Sequence, residues 1–295
     1  MDYHFSVLSD ETIKLLDVTP NQVYIDATLG NGGHTLEILK KGGIVYGIDL
    51  DPNNLKIATE RIEKEGFKDH FFPVHSNFVD IKKISKDIIK NKVDGIIFDL
   101  GLSRNQQKSQ QRGFSFDDIE SLDMRLDPKL QTTTAEEIIN IAPFEELYEI
   151  FSKYGQEIYT KPLILRIIRE RQKSPIKTGQ RLANIVREYY QKHHFKSKID
   201  PSTKIFLSLR IAVNDEFENL KKALAATLNI VKSNGRICVI SFHSGEDRIV
   251  KQFIKDQKRN NKIVGLTSKG VQPKFEEIKI NPLSRSAILR SFKIV

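Results

Sequence analysis

Apolar residues along this chain fall into two rhythms. Short, mostly apolar runs, Val23–Leu29, Ile44–Leu50, Phe71–His75, Gly95–Leu100 and Arg236–Phe242, close around Asp, Gly or Ser. Runs of this kind have no polar face, so they predict strands covered on both sides, as in a parallel sheet. Between the first four lie segments of helical period, Leu36–Lys41, Pro52–Glu65 and Phe78–Asn91. The series is β-α-β-α-β-α-β, an α/β doubly wound sheet. After the fourth strand the pattern becomes purely helical, at about 134–142, 144–153, 160–172 and 178–192, and the strand rhythm returns only at Gly235. A helical insertion over residues 105–205 is therefore expected inside a discontinuous sheet domain, 1–104 with 206–295. A helix over about 205–232 leads back to the sheet, and Phe275–Ile280 with Ala287–Val295 alternate enough to supply a last pair of strands.

Composition narrows the class. At 39% hydrophobic and 29% charged over 295 residues, the chain can bury a large core and is neither low-complexity nor disordered. No apolar stretch approaches the roughly 18 residues of a membrane span. The single cysteine, Cys238, excludes an internal disulfide and fits a reducing compartment, and the N-terminus lacks an apolar signal core, so a cytoplasmic location is expected. Charge is unevenly placed. Residues 161–198 hold eleven Lys and Arg against Glu170 and Glu188, which equals the whole net charge of +9. Residues 248–274 hold eight basic residues against Asp256 alone. Two separate basic blocks predict a polyanionic partner.

Ligands of open α/β sheets bind beyond the carboxyl ends of the strands. There the first strand runs into Gly30-Asn-Gly32-Gly33-His34, a turn that brings backbone N–H groups close to a ligand. The second ends in Asp49, nineteen residues after Gly30, where a carboxylate can accept the hydroxyls of an adenosine ribose in NAD or S-adenosylmethionine. Asp51, before Pro52, suits a helix N-cap instead. Phe78 follows the third strand and can pack on adenine or in the core. The fourth strand ends at Asp99-Leu-Gly101-Leu-Ser103-Arg-Asn-Gln106, and the fifth at His243-Ser244-Gly-Glu246-Asp247, both rich in polar groups that pack poorly and bind well. The irregular stretch Arg112-Gly-Phe-Ser-Phe116 and Leu122-Asp-Met-Arg125 is long enough to suggest a functional loop. The histidines show no paired ligand spacing, so no metal is expected.

These blocks occur in a fixed order with several others: His4-Phe-Ser-Val-Leu8, Asp26-Ala-Thr-Leu-Gly30, Leu209-Arg-Ile-Ala-Val-Asn214, Ile240-Ser-Phe-His-Ser244, Glu246-Asp-Arg-Ile-Val-Lys251 and Ser284-Arg-Ser286. Together they resemble the bacterial 16S rRNA cytosine-N4 methyltransferases, the MraW or RsmH family, nearly end to end. The resemblance implies a class I S-adenosylmethionine-dependent methyltransferase with an inserted α-helical domain that recognises RNA. It further implies methylation of the exocyclic N4 of a decoding-centre cytidine at the peptidyl-tRNA site, within the small ribosomal subunit. The cofactor residues it implies are Gly32, Gly33, His34, Asp49, Phe78, Asp99 and Gln106. The chain departs from the family's pattern at Arg104, Asn105 and Gly245, among other positions, none of them a cofactor residue.

Methyl transfer from a sulfonium is an in-line displacement, so the main work is positioning. Asp99 and Ser103 are the groups expected nearest the amine, with Asp99 alternatively only a cofactor ligand; His243 and Ser244 are a second choice for contacting the base or removing its proton. Lys161, Arg166, Arg169, Arg171, Lys173, Arg181 and Arg187 are the expected phosphate contacts. Both a monomer and a homodimer are compatible with the sequence. Two other readings share features of the site. A NAD-dependent dehydrogenase would use the Gly turn and Asp49, but the G-x-G-x-x-G spacing is missing. A non-catalytic ribosome-assembly or RNA-binding factor would retain the pocket without turnover.

Overall fold

The computed structural model describes residues 6–103, 105–106, 111–157, 159–197 and 199–295. His4, Phe5, Arg104 and Lys198, which figure in the sequence reading, lie outside the described residues. The chain divides into two compact units, Met1–Ser103 with Phe217–Val295, and Arg104–Glu216. Among the described residues no helix is long and apolar enough to cross a membrane.

The first unit is built on seven strands: β1 (Val23–Asp26), β2 (Ile44–Asp49), β3 (Phe71–His75), β4 (Val93–Asp99), β5 (Val231–Ser241), β6 (Ile263–Gly265) and β7 (Ile288–Ile294), in the order β3-β2-β1-β4-β5-β7-β6. The first five are parallel, and β7 runs antiparallel between β5 and β6. This is the doubly wound α/β sheet that the sequence predicts, with β7 antiparallel within it. Side chains alternate across it: Ile96, Phe98, Ile237 and Val239 enter one core, while Ile97, Cys238 and Ile240 enter the other. Helices close both faces. On the first side lie α10 (Glu216–Ile230), through Leu220 and Leu224, and α11 (Ser244–Arg259), through Val250. On the second lie α1 (Ser9–Leu16), α2 (Gly33–Lys40) and α3 (Pro52–Lys64), through Ile13, Leu39 and Ile62. Each such side chain, when fully buried, contributes about 1.5–3 kcal/mol, and the double cover is why the strands read as continuous apolar runs.

Three local expectations need correction. Phe78–Asn91 is not one helix but a 3₁₀ turn (Phe78–Asp80), a single α turn α4 (Ile81–Ile84) and a π segment (Ser85–Ile89), closed by Lys90 at φ 59°. Phe275–Ile280 is a helix, not a strand; the partner of β7 is Ile263–Gly265. Its two acids, Glu276 and Glu277, sit in the first turn where the helix dipole favours them, and Glu277 also accepts the Leu8 N–H at 2.8 Å. The expected helix over 205–232 is two, α9 (Ser202–Asn214) and α10, broken at Asp215, which adopts a left-handed φ of 50°.

The second unit contains α5 (Ala135–Ile141), α6 (Phe144–Lys153), α7 (Thr160–Lys173), α8 (Gly179–Lys192) and α9, packed around Ile139, Phe151, Leu163, Leu182, Ile205 and Leu209. Helix α5 opens with a capping box in which Thr134 and Glu137 satisfy each other's backbone N–H. The stretch 111–131 has no regular elements, so side chains satisfy its backbone. Asp118, fully buried, accepts from the N–H groups of Gly113, Glu120 and Ser121 at 2.7–3.0 Å. Arg112 donates to the carbonyls of Arg125 and Leu126, and Asn214 holds Met124 and Leu126. Gly113 is the tightest point: its φ is +74°, and a Cβ there would lie 2.6 Å from Leu122 Cα and 2.7 Å from Asp123 N. Gly113→Ala is therefore expected to destabilise the protein by about 2–4 kcal/mol. Gly66→Ala, at φ +83° with nothing within 4 Å, isolates the backbone part of that cost. Equal thermal midpoints for the two variants would contradict the packing argument.

Candidate active site at the strand tips

The carboxyl ends of β1, β2 and β4 carry Asp26, Asp49 and Asp99 side by side, because each strand's apolar run ends one residue earlier. Asp26 is 1% exposed and accepts from Thr28 N–H (3.2 Å) and Thr35 Oγ1 (2.8 Å), which ties the glycine turn to the start of α2. Burial pushes its carboxyl above the ordinary range, and nearby His34 moderates that. In the turn itself Gly30 and Gly32 have φ of +51° and +74°, and a Cβ on Gly33 would overlap Ser6 Oγ. Glycine there lets the turn pack closely, Gly32 against Ala58 and Ile62 and Gly33 against Ser6, at the N-terminus of α2.

Asp49 clamps the turn. Its Oδ2 accepts from Gly30 N–H (2.8 Å) and Asn54 Nδ2 (3.2 Å), and its Oδ1 from Asp51 N–H (2.8 Å). Desolvation nevertheless dominates these three bonds and lifts its pKa to about 7. Asp51 is the N-cap of α3, accepting from Asn53 N–H at 3.0 Å. Phe78, half-buried, stands edge-on to Phe98 at 6.1 Å. Asn54 is a member of the site that sequence reasoning missed. It is 2% exposed, and while its amide nitrogen reaches Asp49, its carbonyl accepts from Ser103 Oγ at 3.0 Å. It thereby couples the β2 tip to the end of β4, a link that only the fold brings about.

Asp99 lies at the centre. Its backbone N–H donates to Thr28 Oγ1 (2.6 Å), its Oδ2 is 3.6 Å from His34 Nε2, and its buried Oδ1 has no hydrogen-bond partner. His34 is 4% exposed with neither ring nitrogen hydrogen-bonded. Burial alone would depress its pKa, but the carboxylates of Asp99, Asp26 and Glu37 outweigh that and hold it above the ordinary histidine value. Buried polar atoms without partners are rare in folded proteins, since each costs about 1–3 kcal/mol. Here three of them belong to the neighbouring His34 and Asp99, among carboxylates that favour a cationic ligand.

At the β5 tip His243 is the N-cap of α11. Its Nδ1 accepts from Glu246 N–H (3.4 Å), its Nε2 stands 3.1 Å from Glu246 Oε1, and Glu246 Oε2 in turn accepts from Phe242 N–H (2.8 Å). Nδ1 is thus engaged by the cap, while the buried Nε2 has no hydrogen-bond partner among the described residues. Gly245 is required by this packing, because a Cβ there would collide with Phe217, whose ring centre lies 5.7 Å from that of His243. Ser244 is exposed at the first position of α11. Gln106 belongs to the second unit, where it is buried.

The seven basic residues expected to meet phosphate are not equivalent. Arg171 is committed to the fold: its Nη1 donates to the carbonyls of Ile139 and Ala142, both at 2.8 Å, closing the C-terminus of α5. Arg187 pairs with Asp200 (2.6 Å) and Arg166 with Glu170 (3.2 Å) and Glu188 (3.4 Å). Lys173 pairs with Glu170, and Arg181 donates to Ser174. Lys161 lies over the Tyr148 ring, and Arg169 is exposed. Arg171→Ala should therefore destabilise the protein by about 1–3 kcal/mol through the two carbonyls it strands. The salt dependence of binding to a polyanion should be unchanged; a slope lowered by about one with normal stability would place Arg171 on the polyanion instead.

The whole chain, residues 1–295, matches the MraW methylase family. Three relatives carry the name ribosomal RNA small subunit methyltransferase H. That of Sulfurihydrogenibium azorense is 42% identical, over 97% of both chains. That of Halothermothrix orenii is 40% identical, again over 97% of both. That of Desulfosudis oleivorans is 38% identical, over 98% of this chain and 97% of its own.

Proposed function

The chain belongs to the MraW methylase family, and from that premise we propose that it transfers the methyl group of S-adenosylmethionine to the exocyclic N4 of a peptidyl-site cytidine in 16S rRNA. It is a methyltransferase of small-subunit ribosomal RNA, and it acts where subunits are assembled, in the cytoplasm. The observation that carries the reading is the polar strand tip: Asp49 holding the glycine turn, and Asp99 with a buried oxygen left over.

The residues fit the cofactor. Asp49 retains acceptor capacity for a ribose diol, Phe78 offers a ring to adenine, and Gly32, Gly33 and His34 present the N-terminus of α2 to the same ligand. Asp26, Asp49 and Asp99 suit a ligand that carries a positive sulfur. When bound, S-adenosylmethionine supplies an electrophilic methyl carbon. The chain's own task is then to hold the amine in line with it. An exocyclic amine conjugated to cytosine is a weak nucleophile, so an acceptor on its hydrogens helps it pyramidalise. Asp99 Oδ1 is that acceptor, and it takes the proton that N4 loses as the new C–N bond forms. Ser103, held by Asn54, orients the second hydrogen. His34 steadies the Asp99 carboxylate through Oδ2. His243 and Ser244, on the β5 side, are the second choice for contacting the base or taking its proton, with the imidazole's Nε2 left over. In the second unit, exposed Lys161 and Arg169 are the clearest phosphate contacts, with Arg166, Lys173, Arg181 and Arg187 available on exchange of their present partners.

Labelled methyl groups incubated with the protein and small subunits lacking the modification should appear in 16S rRNA. Subunit binding without label transfer would support the non-catalytic assembly factor, and tight binding of NAD in preference to S-adenosylmethionine would support a dehydrogenase.

A further inference from the structure

Helix α11 starts at the β5 tip, one strand from Asp99, and runs away from it along the first unit. Its inner face is apolar, with Val250 buried and Ile249, Phe253 and Ile254 packed against the core. Its outer face carries Arg248, Lys251, Lys255, Lys258 and Arg259, all exposed. At 100° per residue these five fall within an arc of about 100°, opposite the apolar face, over a length of about 16 Å. The helix's acids do not neutralise them. Glu246 caps the helix start, Asp247 is bonded to Arg290 at 2.6 Å, and Asp256 is taken by Gln252 at 2.9 Å. None of the five has a salt-bridge partner among the described residues, whereas Arg166, Lys173 and Arg187 of α7 and α8 do.

We propose that this stripe is a second binding surface for the ribose-phosphate backbone, carried by the catalytic unit itself. The inference rests on the RNA-methylation reading. A polynucleotide whose target base enters at the strand tips has flanking phosphates that must lie beside the site, and the stripe begins there. Its repeat of like charges without counter-charges suits a polyanion extended along the helix, since five closely placed cations repel one another and gain most from a partner that neutralises several at once. Long flexible side chains, with no base-reading geometry, would give affinity and register without sequence preference.

The test compares the protein with a Lys251→Gln, Lys255→Gln, Lys258→Gln, Arg259→Gln variant. A control removes four exposed lysines elsewhere in the first unit, Lys56, Lys82, Lys83 and Lys86, each to Gln. Binding to small ribosomal subunits is measured as a function of salt, and S-adenosylmethionine affinity serves as the fold control. At about 0.7 per phosphate, the stripe variant should lower the salt slope by about 2–3 and weaken binding at least tenfold near 100 mM salt, with cofactor affinity unchanged and the control near wild type. Equal losses in both variants would reduce the effect to net charge, and an unchanged slope in the stripe variant would remove the surface; either overturns the proposal. So would loss of binding to phosphatidylglycerol vesicles with subunit binding intact, which would assign the stripe to an anionic membrane. If wild type binds subunits but transfers no methyl, the catalytic reading fails while the slope comparison still decides the stripe.

Discussion

Replacing Asp49 by alanine is expected to weaken S-adenosylmethionine binding at least 100-fold. Two hydroxyl groups donating to one carboxylate are worth about 1.5–3 kcal/mol each, and both are lost together. The wild-type protein carries its own check on this assignment, because desolvation lifts the Asp49 pKa to about 7. A diol binds the ionised form, so the carboxyl must lose its proton to receive the cofactor. Affinity should be full above pH 7 and should fall as the pH drops through 7, toward a limit of about tenfold per unit. The alanine variant should lose that dependence. Calorimetric titration from pH 5.5 to 8.5 measures both, with a thermal melt to account for the Gly30, Asp51 and Asn54 contacts that the substitution also removes. A pH-independent wild-type affinity would mean that the cofactor does not use this carboxylate.

Asp99→Asn should preserve shape and lose turnover. The amide cannot take a proton, and it replaces the charged partner of His34, so kcat is expected to fall by about 10²–10⁴. Cofactor affinity should change less than tenfold, because the aspartate's unpartnered oxygen rather than its whole side chain is assigned to the amine. Single-turnover rates and cofactor titrations separate the two effects. A large loss of cofactor affinity with a near-normal single-turnover rate at saturation would make Asp99 only a cofactor ligand.

The sheet was legible because burial on both faces leaves an unambiguous mark: an apolar run such as Ile96–Phe98 has one interpretation when a polar tip and a helix follow it. Phe275–Ile280 was not, since six residues with apolar positions at 275, 278 and 280 satisfy both periods, and only the tertiary contact of Glu277 with Leu8 accompanies the helical form. The break at Asp215 was hidden for a similar reason. Apolar periodicity runs through it, and the left-handed turn goes with Asn214, whose amide serves the irregular stretch ninety residues earlier. At the site, the strand-end acids and the glycine turn announce themselves, while Asn54 looks like any polar helix residue until β2 and β4 are placed together. His243 reads as chemistry in the sequence, and its position three residues before Glu246 also carries the signal of a capping box. Arg171 reads as a phosphate ligand by charge alone, because charge in a sequence does not say that the carbonyls of Ile139 and Ala142 lie within its reach. The basic face of α11 is legible as charge in residues 248–274, while its gathering on one side of the helix emerges only from the helix phase.

The central claim is the identity of the methylated atom. Small subunits lacking the modification, treated with the protein and S-adenosylmethionine, digested to nucleosides and resolved by mass spectrometry, should yield N4-methylcytidine, and mapping of the intact 16S rRNA should confine it to one decoding-centre position. A methyl group recovered on C5 of cytosine, on a ribose hydroxyl or on another base would contradict the account, because the proton acceptor assigned to Asp99 would then have no amine to serve.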